Sequence, residues 1–166
     1  MTTTAAAENN HKKTQQFLSF FMLPQIHAIL PAQQLTEILS LAPQQIVPIP
    51  DVPSQVMGVC NWRGEVLWLL DLGCFMGTES LSSQKYRQSN YSAIVVHHQD
   101  CTLGLVVDRV SHMLWCDPEQ IQSIPTPHHK SATSPCLQGY WLSPQGETFL
   151  VLDGQVLINA FRNSSE

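Results

Sequence analysis

Seven histidines, five cysteines and thirteen acidic residues are the side chains with which this chain could bind a metal or do catalysis. Zinc sites need ligands clustered in pairs such as Cys-x-x-Cys. Here His97-His98 is the only adjacent pair close to a cysteine, Cys101, and the three fall at a predicted hairpin tip. Asp71, Asp108 and Asp153 each end or punctuate an apolar run, where a carboxylate can serve as a general base. None has an evident nucleophile or partner acid, so each reads as an aspartate accepting backbone amides at a strand end or turn. No glycine-rich phosphate loop follows a strand, and no Gly-x-Ser-x-Gly elbow is present. The expectation is a protein without catalytic residues, bound metal or cofactor.

What stands out instead is a charge at a turn. Asn61 and Gly64 bracket Trp62-Arg63 between two apolar runs, as the first and last residues of a predicted four-residue turn. Asn folds its side chain back onto the backbone, and Gly accepts the exit torsions. Arg63 must then point outward. Taken alone, such a hairpin fits a merely solvated arginine equally well. Glu37, in Leu35-Thr36-Glu37-Ile38, is likewise the lone charge of an apolar stretch.

The elements that position these residues read as short strands. Phe17–Phe21 and Ile26–Leu30 flank Leu23-Pro24-Gln25 as two strands around a tight turn. Gln33–Leu39 reads as a helical turn leading into a strand. Val66-Leu67-Trp68-Leu69-Leu70 is apolar throughout and predicts a strand covered on both faces. Lys85–Asn90 is a polar linker. Tyr91–His97 pairs with Leu103–Val110 as a hairpin that begins a second sheet. Asp117-Pro118-Glu119-Gln120 supplies a cap, a proline at the first helical position and a glutamine three residues on, predicting a short helix from Pro118. A polar loop, Thr126–Pro135, precedes a strand at Leu137–Leu142. Its two histidines read as loop solvation. Gly64-Glu65-Val66-Leu67-Trp68-Leu69-Leu70-Asp71 recurs in polarity as Gly146-Glu147-Thr148-Phe149-Leu150-Val151-Leu152-Asp153, which is either a duplication or a chance match of turn glycine and strand.

The 166 residues suffice for one domain or two small barrels with a core. Apolar residues reach 43% but charged ones only 13%, against about 25% for soluble domains, so much of the surface is neutral or apolar and suited to partners. The net charge of −5 with scattered basic residues argues against nucleic acid. No run approaches the ~20 apolar residues of a membrane span, and the polar start shows no secretory apolar stretch, so a cytoplasmic protein is expected. Cysteines at irregular spacing read as buried thiols of a reducing compartment. Residues 1–15 read as a disordered tail and 16–166 as one domain.

The segment Ile49-Pro50-Asp51-Val52-Pro53-Ser54-Gln55-Val56-Met57-Gly58-Val59-Cys60-Asn61-Trp62-Arg63-Gly64, followed by an apolar strand ending in Asp71-Leu72, resembles the signature of the CheW-like family. The family's pattern has leucine at the position of Trp62 and more often proline at that of Trp68. Leu103–Val110, Ile121–Pro125, Leu137-Gln138-Gly139 and Leu150–Asp153 continue the likeness in order, from Phe17 to about Phe161. The resemblance implies a mainly β chain folded as two packed five-stranded SH3-like barrels with short helices. It implies an adaptor that joins the cytoplasmic tip of a methyl-accepting receptor to the regulatory domain of a CheA-type histidine kinase, with the domain filling the chain and no receiver or kinase segment beside it. Chemotaxis, phototaxis and pilus-driven motility are the settings in view, with recruitment to membrane receptor arrays. By the same resemblance the partner-binding residues are Glu37, Ile38, Asn61, Trp62, Arg63 and Gly64, with Gly104 and Val106 on a groove-lining strand. Trp62 is either an exposed anchor or folded back over its barrel. The alternatives are a β-barrel module for another ligand, such as an oligonucleotide-binding fold, whose interleaved aromatic and basic residues are missing, and a small thiol- or metal-dependent enzyme.

Overall fold

Four strands carry long apolar runs, and the fold explains why. The computed structural model describes residues 14–83, 89–124 and 136–164. In chain order the strands are β1 (Gln15–Met22), β2 (Ile26–Pro31), β3 (Leu35–Leu41), β4 (Val56–Trp62), β5 (Glu65–Asp71), β6 (Tyr91–His98), β7 (Cys101–Val107), β8 (Arg109–Cys116), β9 (Leu137–Leu142) and β10 (Thr148–Leu152). Helix α1 (Leu72–Phe75) follows β5, and α2 (Gly154–Ser164) follows β10. They build two five-stranded sheets, one ordered β8-β1-β2-β10-β9 and the other β3-β6-β7-β5-β4. The chain is mainly β, as expected.

Residues of the central strands alternate between two cores, because successive side chains leave opposite faces of a strand. On β6, Ala93 and Val95 enter a core inside their own sheet with Leu67, Leu69 and Val106, while Ile94 and Val96 enter a core shared with the other sheet. On β2, Ile29 packs inside the first sheet with Phe17, Trp141 and Phe149, while Ala28 and Leu30 face the shared core. Burial on both faces accounts for the continuous hydrophobicity of β1, β2, β6 and β7.

The two sheets repeat one plan. In each, a central antiparallel hairpin (β1–β2 or β6–β7) pairs in parallel with the second strand of another hairpin (β9–β10 or β4–β5). The strand that follows each central hairpin crosses over: β3 leaves β2 to edge the second sheet, and β8 leaves β7 to edge the first. Past β3 the chain bends so that Val47 and Val59 exchange backbone hydrogen bonds of 2.8 and 2.9 Å. Past β8, Gln122 and Tyr140 do the same at 2.8 and 2.9 Å. Each sheet is thereby curled toward a barrel. Glycine is required on the receiving strands: a Cβ at Gly58 would run into the Val47 carbonyl, and one at Gly139 into that of Gln122.

This crossover corrects two expectations. The β6–β7 hairpin does not begin a second sheet; it completes the one that holds β3, β4 and β5. The run Leu103–Val110 is two strands, broken at Asp108, whose N–H donates to the Phe21 carbonyl (2.9 Å) as the chain changes sheet. Nor is β5 covered on both faces. Leu67 and Leu69 fill the barrel interior and Leu70 reaches the shared core, but Val66 is 71% exposed and Trp68 38%. Val66, Trp68 and Leu70 share one face of β5, which lies next to the edge strand β4, and only Leu70 on that face is covered by the shared core.

Other local readings match. A short 3₁₀ turn at Ala32–Gln34 leads into β3, and another spans Pro118–Gln120, where the Asp117 carboxylate accepts the Glu119 N–H at 3.0 Å. The polar loop Thr126–Pro135, most of Lys85–Asn90 and most of the N-terminal tail lie outside the described residues.

Candidate functional site

The apolar runs of β4 and β5 pair antiparallel, with Trp62 opposite Glu65 as the last rung. Only Arg63 and Gly64 remain between them, at φ 53° and 79°. Positive φ at both central residues is the type I′ geometry, whose twist matches that of the flanking strands. The turn is therefore two residues long, one residue later than the expected frame of Asn61 to Gly64. Asn61 still acts as predicted: its Oδ1 accepts the Gly64 N–H at 3.0 Å. The Arg63 side chain is 65% exposed at the tip.

Glu37 comes from β3, the opposite edge of the same sheet. Its Oε2 accepts the indole Nε1–H of Trp62 at 2.8 Å and a guanidinium N–H of Arg63 at 3.1 Å. The Arg63 Cζ also lies 4.9 Å from the centre of the Trp62 ring, within cation–π range. One carboxylate thus clamps the two edges of the barrel across its seam. The arginine stays largely in water but is held in place from two sides. Of the two readings of Trp62, the structure takes the one folded back over its barrel: the ring packs against the core inside its own sheet. It is half-buried, with its indole N–H committed to Glu37. That donor role was not read from the sequence, although a tryptophan flanking a lone arginine was a cue.

Glu37, Asn61, Trp62, Arg63 and Gly64 therefore meet. Ile38 is adjacent on β3 but leaves the opposite face of the strand, 43% exposed. Gly104 and Val106 do not join the surface. Both are buried on β7, Val106 within the barrel core. A Cβ at Gly104 would come 2.7 Å from Leu69 Cδ2, so this glycine lets β7 lie close against β5.

The carboxylates considered as bases are engaged in structure. Asp71, 2% exposed, accepts Cys74 N–H (3.2 Å), Ser80 Oγ–H (2.8 Å) and Leu81 N–H (2.9 Å). Asp153 caps α2 by accepting Gln155 and Val156 N–H (2.9 and 3.3 Å), and it also binds the amides of Gln34 and Gln138 (3.1 and 2.9 Å). Burial pushes the thiols of Cys116 and Cys136 up to about 11, and those of Cys60 and Cys101 upward as well, away from the reactive thiolate. Among the described residues no three His, Cys, Asp or Glu side chains are grouped to hold a metal. His97 Nδ1 instead shares a hydrogen bond of 2.7 Å with Thr102 Oγ1.

Residues 17–162 match the CheW-like domain, and the chain belongs to that family. Over 65 residues it is 42% identical to protein PilI of Pseudomonas aeruginosa, covering 39% of this chain and 34% of that protein. It is 27% identical over 118 residues to the chemotaxis protein CheW of Helicobacter pylori, covering 71% and 67%. With the chemotaxis protein CheW of Rhizobium meliloti it shares 34% over 80 residues, 48% of each chain. The chain thus spans only about a third of PilI in that alignment. The scaffolding protein TtCheW of Thermoanaerobacter tengcongensis has the same fold, with a TM-score of 0.67 at 18% identity over 83% of this chain and 88% of that one.

Proposed function

We propose that this chain is a non-enzymatic adaptor that couples the cytoplasmic tip of a methyl-accepting receptor to the regulatory domain of a CheA-type histidine kinase. The observation that carries the reading is the Glu37–Trp62–Arg63 clamp on a CheW-like scaffold. A clamped cation at a hairpin tip is pre-organised, so a partner carboxylate meets it at little cost in side-chain ordering. The adaptor performs no chemistry. It holds receptor and kinase together, so that a rearrangement of one shifts the conformational equilibrium of the other. On this reading it works in the cytoplasm at receptor arrays; no helix among the described residues is long and apolar enough to cross a membrane.

The higher identity to PilI than to either CheW protein favours pilus-driven motility as the output over flagellar chemotaxis or phototaxis. The test is reconstitution of the purified chain with a CheA-type kinase and a receptor signalling fragment from the same genome. Saturable binding to the kinase and receptor-dependent change in its autophosphorylation are expected. A chain that binds neither partner refutes the proposal. Loss of swimming with intact twitching in a deletion strain refutes the pilus assignment alone.

A further inference from the structure

The geometry points to a second binding site, at the seam of the other barrel, for an extended peptide that presents a large apolar side chain next to a basic one. It goes beyond the adaptor reading and uses none of the clamp residues. By the repeated plan, β8 corresponds to β3, and the β9–β10 hairpin to β4–β5. In the second sheet that gap is bridged by Glu37. In the first sheet it is a cleft of about 480 Å³, with Trp115 and His112 of β8 on one side and Trp141, Phe149 and Glu147 on the other.

Three observations define the occupant. First, Trp141 is only 5% exposed and lines the cleft, yet its Nε1–H has no hydrogen-bond partner. A buried donor left without an acceptor costs free energy until something supplies one. Second, the walls are aromatic: Trp141 and Phe149 are buried on one side and Trp115 is 63% exposed on the other. Arg109, Phe21, His27, Phe149 and Trp141 make successive contacts, one from each strand of the sheet, and the last two line the cleft. The spacings are 4.1, 3.9, 4.2 and 5.3 Å. Third, Glu147 stands exposed at the rim with no ion pair among the described residues.

An anionic acceptor for Trp141 would be repelled by Glu147, so the acceptor is neutral, as a backbone carbonyl is. β8 is an edge strand, and an edge strand has backbone groups free to pair with an added strand. An extended segment lying along β8 would give its carbonyl to Trp141, an apolar side chain to the aromatic walls, and a lysine or arginine two residues on to Glu147.

The test uses the full chain, ¹⁵N-labelled, with its four tryptophan indole resonances assigned by single Trp→Phe substitutions. The probe is the blocked peptide acetyl-Thr-Phe-Thr-Lys-Thr-amide. A saturable downfield shift of the Trp141 indole is expected, with Trp115 perturbed and Trp62 unmoved. The peptide with glutamate in place of lysine should bind about tenfold more weakly, and Glu147→Lys, a change at an exposed position, should invert that preference. Absence of a saturable Trp141 shift overturns the site, as does a charge preference that Glu147→Lys leaves unchanged. A response to a folded CheW-like domain but to no peptide also overturns it and assigns the cleft to a domain interface. None of these outcomes bears on the kinase binding that tests the adaptor reading.

Discussion

Arg63→Glu separates folding from docking more cleanly than any other substitution in this chain. Arg63 is 65% exposed and Glu37 35%, so their 3.1 Å ion pair is well screened and contributes about 0 to 1 kcal/mol to folding. Reversal places a carboxylate beside Glu37, but at the turn tip the new side chain can swing into water. Thermal melting should fall by no more than about 4 °C, the shift that ~1 kcal/mol produces in a domain of this size. Assembly is different, because a partner group matched to the guanidinium would face a like charge. A loss of about tenfold or more is expected, each tenfold being about 1.4 kcal/mol. The swap Glu37→Arg with Arg63→Glu restores the pair but leaves the Trp62 indole, now 2.8 Å from Glu37, beside a cation with no acceptor. Recovery should therefore be partial, and Trp62→Phe added to the swap should improve it. Calorimetric titration of the kinase regulatory domain with wild type, Glu37→Arg, Arg63→Glu and the swap forms a double-mutant cycle. An Arg63→Glu protein that assembles normally, or strict additivity across the cycle, would refute the role given to this turn.

Three further outcomes follow from the packing. Burial holds His27 below its ordinary value of 6.5, with Glu147 opposing and His112 and Arg109 reinforcing the shift. The unfolded chain then takes up the proton first as pH falls, so stability is lost progressively below about pH 6.5; the urea midpoint of wild type relative to that of His27→Phe should be lower at pH 5 than at pH 7.5. Asp71→Ala leaves three donors without their acceptor, including the buried Leu81 N–H, and should cost about 3 kcal/mol or more by urea unfolding, with Asp71→Asn less harmful. Gly58→Ala and Gly139→Ala each drive a methyl into a backbone carbonyl of the closing segment. Each should destabilise on the order of 3 kcal/mol, and Gly58→Ala the more, because its φ of 142° is already unfavourable for alanine. Equal stability of either alanine variant with wild type would show that the sheets are not curled by these bridges.

The sequence made the turn legible because its determinants are local. Asn61 and Gly64 announce a hairpin, and a lone Arg63 at the tip has nowhere to point but outward. Glu37 could be paired with it only through the family resemblance, since 26 residues separate them and the contact crosses the barrel seam. Strand positions were also local, set by apolar runs and their breakers. Sheet membership was not. The crossing of β3 and β8 places each edge strand in the barrel of the other half, and nothing within those strands differs from a strand that stays at home. The wet face of β5 was hidden for a related reason: Val66 and Trp68 are as apolar as Leu67 and Leu69, and only the tertiary packing decides which face of the strand is covered.

The crossover also bears on how a strand plan used twice can present two unlike surfaces. Two barrels of one plan present equivalent seams, and equivalent seams would bind equivalent partners, including other copies of the same chain in open-ended heterologous contacts. Divergence at the seam removes that equivalence. In one barrel Glu37 satisfies the Trp62 indole and steadies Arg63, leaving a closed surface with a positioned cation. In the other, Trp141 has no acceptor and Glu147 no counter-ion among the described residues, leaving an open cleft with an anion at its rim. The charges at the two seams are opposite, so a ligand matched to one would meet a like charge at the other. Because β3 and β8 are exchanged, each barrel is built by strands from both halves of the chain, although each seam joins strands of a single half. Neither half can complete a barrel alone, and the two unlike surfaces are held at a fixed spacing by the core shared between the sheets.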